Sequence, residues 1–280
     1  MTDSAVPELL AQLVALSSGD PHADTLIRLT CGRTLSLPPL PMPGDVVDEL
    51  SAQDRVLAGL AEQFCVDVTG IGDQQRQHFL ETFGDRAFRT VLAVFVADFV
   101  PRVWAGCAAL GLGTPGQVTD VAWQPETDPA EVLLAGFVPA VARLRELDAV
   151  TTEVVRLRGA AAHNCRLCKS LREGHALDAG GSEDLYGQIA DYEKSELLSG
   201  AHKAALRYVD ALVWTPSRID EAVVAGMHTH FSGNQQLEIT LDVMRNAANK
   251  IMVSLGADAP RVTEGTERYE VDETGQTIFA

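Results

Sequence analysis

The stretch of sequence that decides the fold reads Glu153-Val-Val-Arg-Leu-Arg-Gly-Ala-Ala-Ala-His-Asn-Cys-Arg-Leu-Cys168. Its Ala, Leu and Arg residues have high helix propensity, and its valines and leucine supply an apolar face, so we predict a helix over residues 151–162. Asn164 is a favourable N-cap residue, which predicts that a second helix begins there and carries both cysteines.

The same helical pattern continues outward in both directions. No long run alternates apolar and polar residues, except in the tail. Pro101 should kink or restart the helix that contains it. The sequence therefore predicts an all-α protein, with further helices over residues 51–64, 85–110, 128–147, 199–213, 219–231 and 235–255. Ser51 is the predicted N-cap of the first of these.

The helical pattern also repeats weakly along the chain. Leu50 and Leu198 begin similar helix–loop–helix blocks, and the separation of 148 positions recurs between Phe83 and Phe231. We interpret the chain as two duplicated helical modules, although two Ala/Leu-rich helices can also resemble each other by chance. Residues 35–44 and 111–129 are rich in Pro or Gly and should be connectors. The acidic tail after Pro260 is predicted to form a small hairpin around residues 273–275.

Composition limits the partners and the compartment. A net charge of −17 opposes binding to nucleic acid or to an anionic membrane. The first eight residues lack the basic and apolar regions of a signal peptide. Five cysteines, an odd number, do not form a disulfide framework, and we expect a reducing cytoplasm.

The cysteine pair is the candidate chemical site. Two cysteines three residues apart on a helix place their Cα atoms about 5–6 Å apart, within reach of a disulfide. The start of a helix and the cations of Arg166, Lys169 and Arg172 should lower a thiol pKa, and the thiolate is the reactive form of sulfur. The pair is therefore suited to disulfide exchange or to attack on a peroxide.

The cysteines could also bind zinc or be buried as small apolar side chains. Zinc would need four ligands, but there is no second Cys-x-x-Cys, and neither His163 nor His175 has finger-like spacing. We therefore expect no metal and no cofactor. Simple burial as a small apolar residue suits the three remaining cysteines better than the pair, because they stand alone among apolar neighbours. These three are Cys31, Cys65 and Cys107.

At these residues the chain resembles the carboxymuconolactone decarboxylase and alkyl hydroperoxidase D superfamily. That signature places a glutamate twelve positions before a Cys-x-x-Cys, as Glu153 stands before Cys165, with a histidine four positions after the second cysteine. Residues 231–250, which end Asn246-Ala-Ala-Asn-Lys250, are similar to the closing helix of the family. The resemblance covers residues 145–260 and is much weaker before them.

The resemblance implies an all-α helical bundle of two alkyl hydroperoxidase D-like modules that assembles as a homo-oligomer. Residues 1–129 would form a degenerate module, 130–260 the module with the cysteine pair, and 261–280 an acidic tail. It implies a thiol-dependent antioxidant enzyme that reduces a small hydroperoxide and draws electrons from an external thiol or dithiol. Cys168 would attack the peroxide, Cys165 would resolve the sulfenic acid, and Glu153 would join the proton relay.

One position departs from the signature. Arg172 stands where the family has its histidine, and arginine can hold a thiolate by charge but does not relay a proton. If the cysteine helix continues, His175 lies near the same face one turn later, and His163 is a second candidate; both can also be histidines without a role. A lactone-decarboxylating lyase and a non-catalytic assembly protein are the alternative functions.

Overall fold

A computed structural model of the chain describes residues 5–45 and 49–279. Residues 1–4, on which the expectation of no signal peptide partly depends, lie outside this range. Helices account for 64% of the structure and strands for 5%, so the protein is mostly helical with one small sheet, as the sequence predicts.

The helices are numbered in chain order. Those before the thiol pair are α1 (Ala5–Ala15), α2 (Pro21–Leu35), α3 (Ala52–Asp67), α4 (Asp73–Phe83), α5 (Ala87–Ala109), α6 (Val138–Ala142, preceded by a π-helical segment, Glu131–Phe137) and α7 (Ala149–Ala162). Those that follow are α8 (Arg166–Lys169), α9 (Gly174–Asp178), α10 (Glu183–Tyr186), α11 (Gly200–Trp214), α12 (Glu221–His230), α13 (Gly233–Ala247) and α14 (Asn249–Leu255).

Helix α5 is the centre of the fold. It is buried along most of its length and packs against α2, α11, α13 and α14. The helical stretch Asp73–Ala109, which contains it, is the one stretch of the described residues that is long and apolar enough to cross a membrane, and 78% of its most apolar window is buried in the protein. That burial is typical of a core helix, because the apolar surface is covered by other helices.

One prediction about a helix boundary is narrowed and another is wrong. Helix α5 does not restart at Pro101 but continues through it to Ala109, which leaves a kink as the predicted effect of this proline. The helix predicted over residues 128–147 ends at Ala142, five residues early. By contrast, the predicted Ser51 cap is confirmed, since its hydroxyl accepts a hydrogen bond from the Asp54 N–H at 3.1 Å. Interior packing overrides the propensity of a single residue, whereas a cap is a local interaction.

The sheet has three strands, β1 (Leu171–Glu173), β2 (Glu267–Val271) and β3 (Thr277–Phe279), in that spatial order. β2 and β3 form the predicted antiparallel hairpin, with Gly275 at a φ of 85° in the turn. β1, which follows the cysteine pair, is parallel to β2 and was not predicted. The tail is therefore joined by main-chain hydrogen bonds to the segment that carries the thiols.

Candidate functional site

The cysteine pair lies in a tight connection between α7 and α8. The structure joins Cys165 and Cys168 in a disulfide with Cα atoms 5.3 Å apart, and the Cys168 N–H donates to Cys165 Sγ at 3.2 Å. Asn164 is not the N-cap, as the sequence predicted; it has a φ of 48° and links the helices, and Cys165 is the cap. Asparagine tolerates the left-handed conformation, which lets the chain turn one residue before the cap.

The two sulfurs differ in exposure. Cys165 is 0% exposed, whereas Cys168 is half-buried and lines an open cavity of about 520 Å³, the thiol cavity. The walls of this cavity are mostly apolar and come from α8, α14 and the hairpin, among them Leu167, Ile251, Met252 and Phe279. Only Cys168 of the pair is therefore presented to a small molecule.

Helix α8 is held in place by Asp258, a residue that the sequence analysis missed. Its carboxylate accepts from the Arg166 N–H at 2.9 Å and from the Arg166 guanidinium at 2.7 Å, and its carbonyl accepts from the Leu167 N–H at 2.9 Å. The hydrogen bond from Arg166 lowers the pKa of the buried Asp258 carboxyl. Asp258 therefore satisfies the free N–H groups at the start of α8.

The three cations expected to activate the thiols have other partners. Arg166 pairs with Asp258, Lys169 donates to the Asn164 side chain at 2.6 Å, and Arg172 forms a two-point ion pair with Glu183 at 2.7 and 2.9 Å. Arg172 lies on β1, because α8 ends at Lys169. The helical face on which His175 was expected to lie near Cys168 therefore does not exist.

A buried ion pair on α7 contacts the thiol segment directly. Glu153 is 1% exposed and accepts from Arg156 at 2.6 Å through both of its oxygens. Arg156 in turn donates to the Cys168 carbonyl at 2.9 Å and to the Leu171 carbonyl at 2.7 Å. Burial alone would lower the pKa of Arg156, but Glu153 raises it above its usual value. Glu153 therefore contacts the thiol segment through Arg156. The sequence signal for this ion pair is the three-residue spacing of the two side chains on one helix.

Neither of the two candidate histidines lines the thiol cavity. His175 is largely exposed, pairs with Glu173 at 2.8 Å and lines a second cavity of about 340 Å³, the side cavity, with Glu153 and Glu173. His163 is buried at the end of α7, and its Nδ1 lies 3.0 Å from the Asn249 side-chain oxygen. Burial first, then Lys250, lower the pKa of His163 to about 3, so its ring is neutral at physiological pH.

Tyr269 stands between the two cavities. It lies at the centre of β2 and lines both the thiol cavity and the side cavity. Its ring is 5.5 Å from the Arg156 guanidinium. Burial raises the pKa of Tyr269 to about 12. Tyr269 was not among the predicted site residues, because the tail was predicted as a separate hairpin and not as part of the site.

The other cysteines are buried and free, which is what simple burial predicts: Cys31, Cys65 and Cys107. Burial raises the pKa of Cys65 and raises that of Cys107 to about 12. Within the part of the chain that the structure describes, no three His, Cys, Asp or Glu side chains are grouped as metal ligands. The cysteine pair is thus set apart from the other thiols by its cavity.

Known relatives match almost the whole chain. It is 52% identical over 278 residues to the uncharacterized proteins MT2376 and Rv2313c of two Mycobacterium tuberculosis strains, CDC 1551 and H37Rv, and the match covers 98% of each chain. The chain belongs to their family. The chain is also similar over a shorter stretch to the uncharacterized protein YnjA of Escherichia coli K12, at 30% identity over 109 residues, 39% of this chain and 60% of YnjA. No family model and no solved structure matches the chain.

Proposed function

We propose that this protein is a thiol-dependent oxidoreductase that reduces hydroperoxides through Cys165 and Cys168. The observation that carries the proposal is the asymmetry of the pair: Cys168 faces an open apolar cavity, and fully buried Cys165 lies directly behind it. A peroxidatic sulfur must be reached by the substrate, whereas a resolving sulfur needs only to reach its neighbour.

The reaction would proceed in three steps. In the reduced protein, the Cys168 thiolate attacks one peroxide oxygen, the O–O bond breaks, and the departing alkoxide takes up a proton to give an alcohol. The Cys165 thiol then attacks the Cys168 sulfenic acid and releases water, which forms the disulfide. An external dithiol returns two electrons and two protons by exchange at Cys168, the accessible sulfur.

The buried pair Glu153–Arg156 would keep this geometry through the cycle. Both hydrogen bonds from Arg156 to this segment are to main-chain carbonyls, those of Cys168 and Leu171, so we expect them to remain when the disulfide is reduced. Its charge, fixed at the cavity wall, would favour a thiolate at Cys168. Glu153 would therefore act by positioning Arg156 rather than by relaying a proton.

The finer parts of the resemblance belong to the same proposal. We expect two duplicated modules divided near residue 129, a tail from residue 261, a homo-oligomer, and work in a reducing cytoplasm. The cysteine segment and the closing segment both lie at the thiol cavity, where Cys168 faces Asn246 and Asn249. Their meeting at one cavity supports membership of the carboxymuconolactone decarboxylase and alkyl hydroperoxidase D superfamily.

Consumption of cumene hydroperoxide with dithiothreitol as the donor tests the proposal. Cys168→Ser should reduce turnover to the uncatalysed rate, whereas Cys107→Ser, the control at a buried thiol, should retain it. In Cys165→Ser, a sulfenic acid should form at Cys168 and be trapped by dimedone. If the natural protein is no faster than Cys168→Ser, peroxide reduction is overturned, and the lyase and assembly alternatives take its place.

A further inference from the structure

The proposed peroxide step lacks an evident proton donor. The departing alkoxide needs a proton, and the superfamily's histidine position is Arg172, which pairs with Glu183. His175 is largely exposed and lines the side cavity rather than the thiol cavity. His163 is buried with its Nδ1 on Asn249, and it lines neither cavity. Any residue that donates the proton directly is therefore another one that shares the thiol cavity with Cys168.

Tyr269 is in a position to supply it. Its backbone is fixed by pairing with Glu173 on one side and Phe279 on the other, and its side chain lines the thiol cavity. Among the described residues, none forms a hydrogen bond with its hydroxyl. The hydroxyl is also not fully buried. The hydroxyl therefore has accessible space and an unused proton.

We propose that Tyr269 is the proton donor to the leaving oxygen, an inference that rests on the proposed peroxide reduction. As the Cys168 S–O bond forms and the O–O bond breaks, the Tyr269 O–H proton passes to the alkoxide and gives the alcohol. Water entering the open cavity then returns a proton to the tyrosinate. No oxidant or reductant beyond the hydroperoxide takes part in this step.

The electrostatic surroundings fit this role. With a pKa of about 12, Tyr269 keeps its proton at any physiological pH. An alkoxide resembles hydroxide and is a stronger base than a tyrosinate, so the transfer is downhill. Burial has the largest effect on the pKa of Tyr269 and raises it, as do Glu153 and Glu173. Arg156 and Arg245 lower this pKa, and their guanidiniums would stabilise the transient tyrosinate.

The test is single-turnover disulfide formation in pre-reduced protein, quenched by alkylation and measured by mass spectrometry. Tyr269→Phe keeps the ring on Arg156 and removes only the hydroxyl. With cumene hydroperoxide, Tyr269→Phe should be slower by about 10²-fold, because general acid assistance typically contributes 10²–10⁴-fold. With peracetic acid, which releases a carboxylate that needs no proton, it should match the natural protein. Tyr186→Phe, whose hydroxyl lies outside both cavities, is the control and should be unchanged with both oxidants.

Three other outcomes separate the two proposals. Equal slowing with both oxidants would assign Tyr269 a structural role and overturn proton donation. No slowing with either oxidant, while Cys168→Ser forms no disulfide, would overturn the Tyr269 inference and leave peroxide reduction standing. If the natural protein forms no disulfide with either oxidant, peroxide reduction itself fails, and the role of Tyr269 fails with it.

Discussion

Two regions of this protein bury a carboxylate next to a guanidinium on one helix, and they use the pair differently. On α5, Asp98 binds Arg102 at 2.8 Å and Lys250 at 2.5 Å, and Arg102 also donates to main-chain carbonyls, including that of Cys65 at 2.9 Å. Lys250 packs on Phe64 and Phe99. We call Asp98, Arg102 and Lys250 the core ion cluster.

The α7 pair is built alike but borders open space. Glu153 and Arg156 form the same kind of contact, yet Glu153 lines the side cavity and Arg156 lines both cavities, and Cys168 and Tyr269 also line the thiol cavity. A closed cluster stabilises a fold, because each buried charge has its partners. An open one holds a reactive group in place while leaving room for a substrate. This contrast supports our proposal that chemistry takes place at the thiol cavity rather than at the core ion cluster.

The largest effect is expected from breaking the core ion cluster. Asp98→Asn would leave two buried cations without their carboxylate and should cost about 3–5 kcal/mol in the free energy of unfolding, measured in urea. Below its melting temperature, the variant should reduce peroxide at the natural rate, since Asp98 lines neither cavity.

Glu193→Gln is the matched control, because it breaks an exposed ion pair with Arg207. It should cost less than about 1 kcal/mol. Equal losses in the two variants would contradict the assignment of the core ion cluster to stability.

A smaller effect is expected at His163, which lies between the two regions. Its folded-state pKa is about 3, whereas an unfolded histidine titrates near its ordinary value of about 6.5. As the pH falls through that window the unfolded state binds a proton that the folded state does not, so stability is lost. Between about pH 7.5 and pH 5 this loss should be about 2 kcal/mol.

Urea unfolding at the two pH values checks this. In His163→Gln the free energy of unfolding should lose about 2 kcal/mol less between the two pH values than in the natural protein. His230→Gln, at an exposed position, is the control and should show the same pH dependence as the natural protein. A His163→Gln curve parallel to the natural one would show that the ring is not held neutral.

The smallest effect is expected from Arg172→His. Its guanidinium holds Glu183, which is mostly exposed, and the Lys169 carbonyl, so the substitution should cost about 1 kcal/mol or less. The peroxide rate should not change, because Arg172 does not line the thiol cavity. The family signature, which has a histidine at this position, would instead predict a faster variant. Faster peroxide consumption would mean that the side chain at position 172 does reach the sulfur, and position 172 would then belong to the site.

Local signals in the sequence predicted what depends on local interactions. The helix over residues 151–162, the Ser51 cap, the connector over residues 35–44 and the tail hairpin all agree with the structure. The cysteine pair does meet at bonding distance, as three-residue spacing predicts. These features need only the residues beside them.

The remainder of the site depends on contacts between distant parts of the chain. The short strand β1 exists because β2 pairs with it 96 positions later, so no pattern within residues 171–173 could indicate it. Asp258 reaches α8 from 92 positions away. For the same reason the cysteine helix was expected to extend past Lys169: the nearest helix-stop residue, Gly174, comes five positions later, and the strand pairing that ends the helix comes from the tail. Tertiary pairing therefore overrides local propensity at the positions nearest the thiols.

The pairing of β1 with β2 also sets the order in which the site is completed during synthesis. Cys165 and Cys168 are close enough to bond as soon as they leave the ribosome, but the hairpin wall follows only after residues 174–266 have been made. At typical translation rates of 5–20 residues per second, that interval is roughly 5–20 s. During it, the thiols are present without the cavity that would select their substrate. In a nascent chain the dithiol would therefore be exposed to cellular oxidants before the cavity forms. The cavity would be complete only once the tail has paired with the strand that follows Cys168.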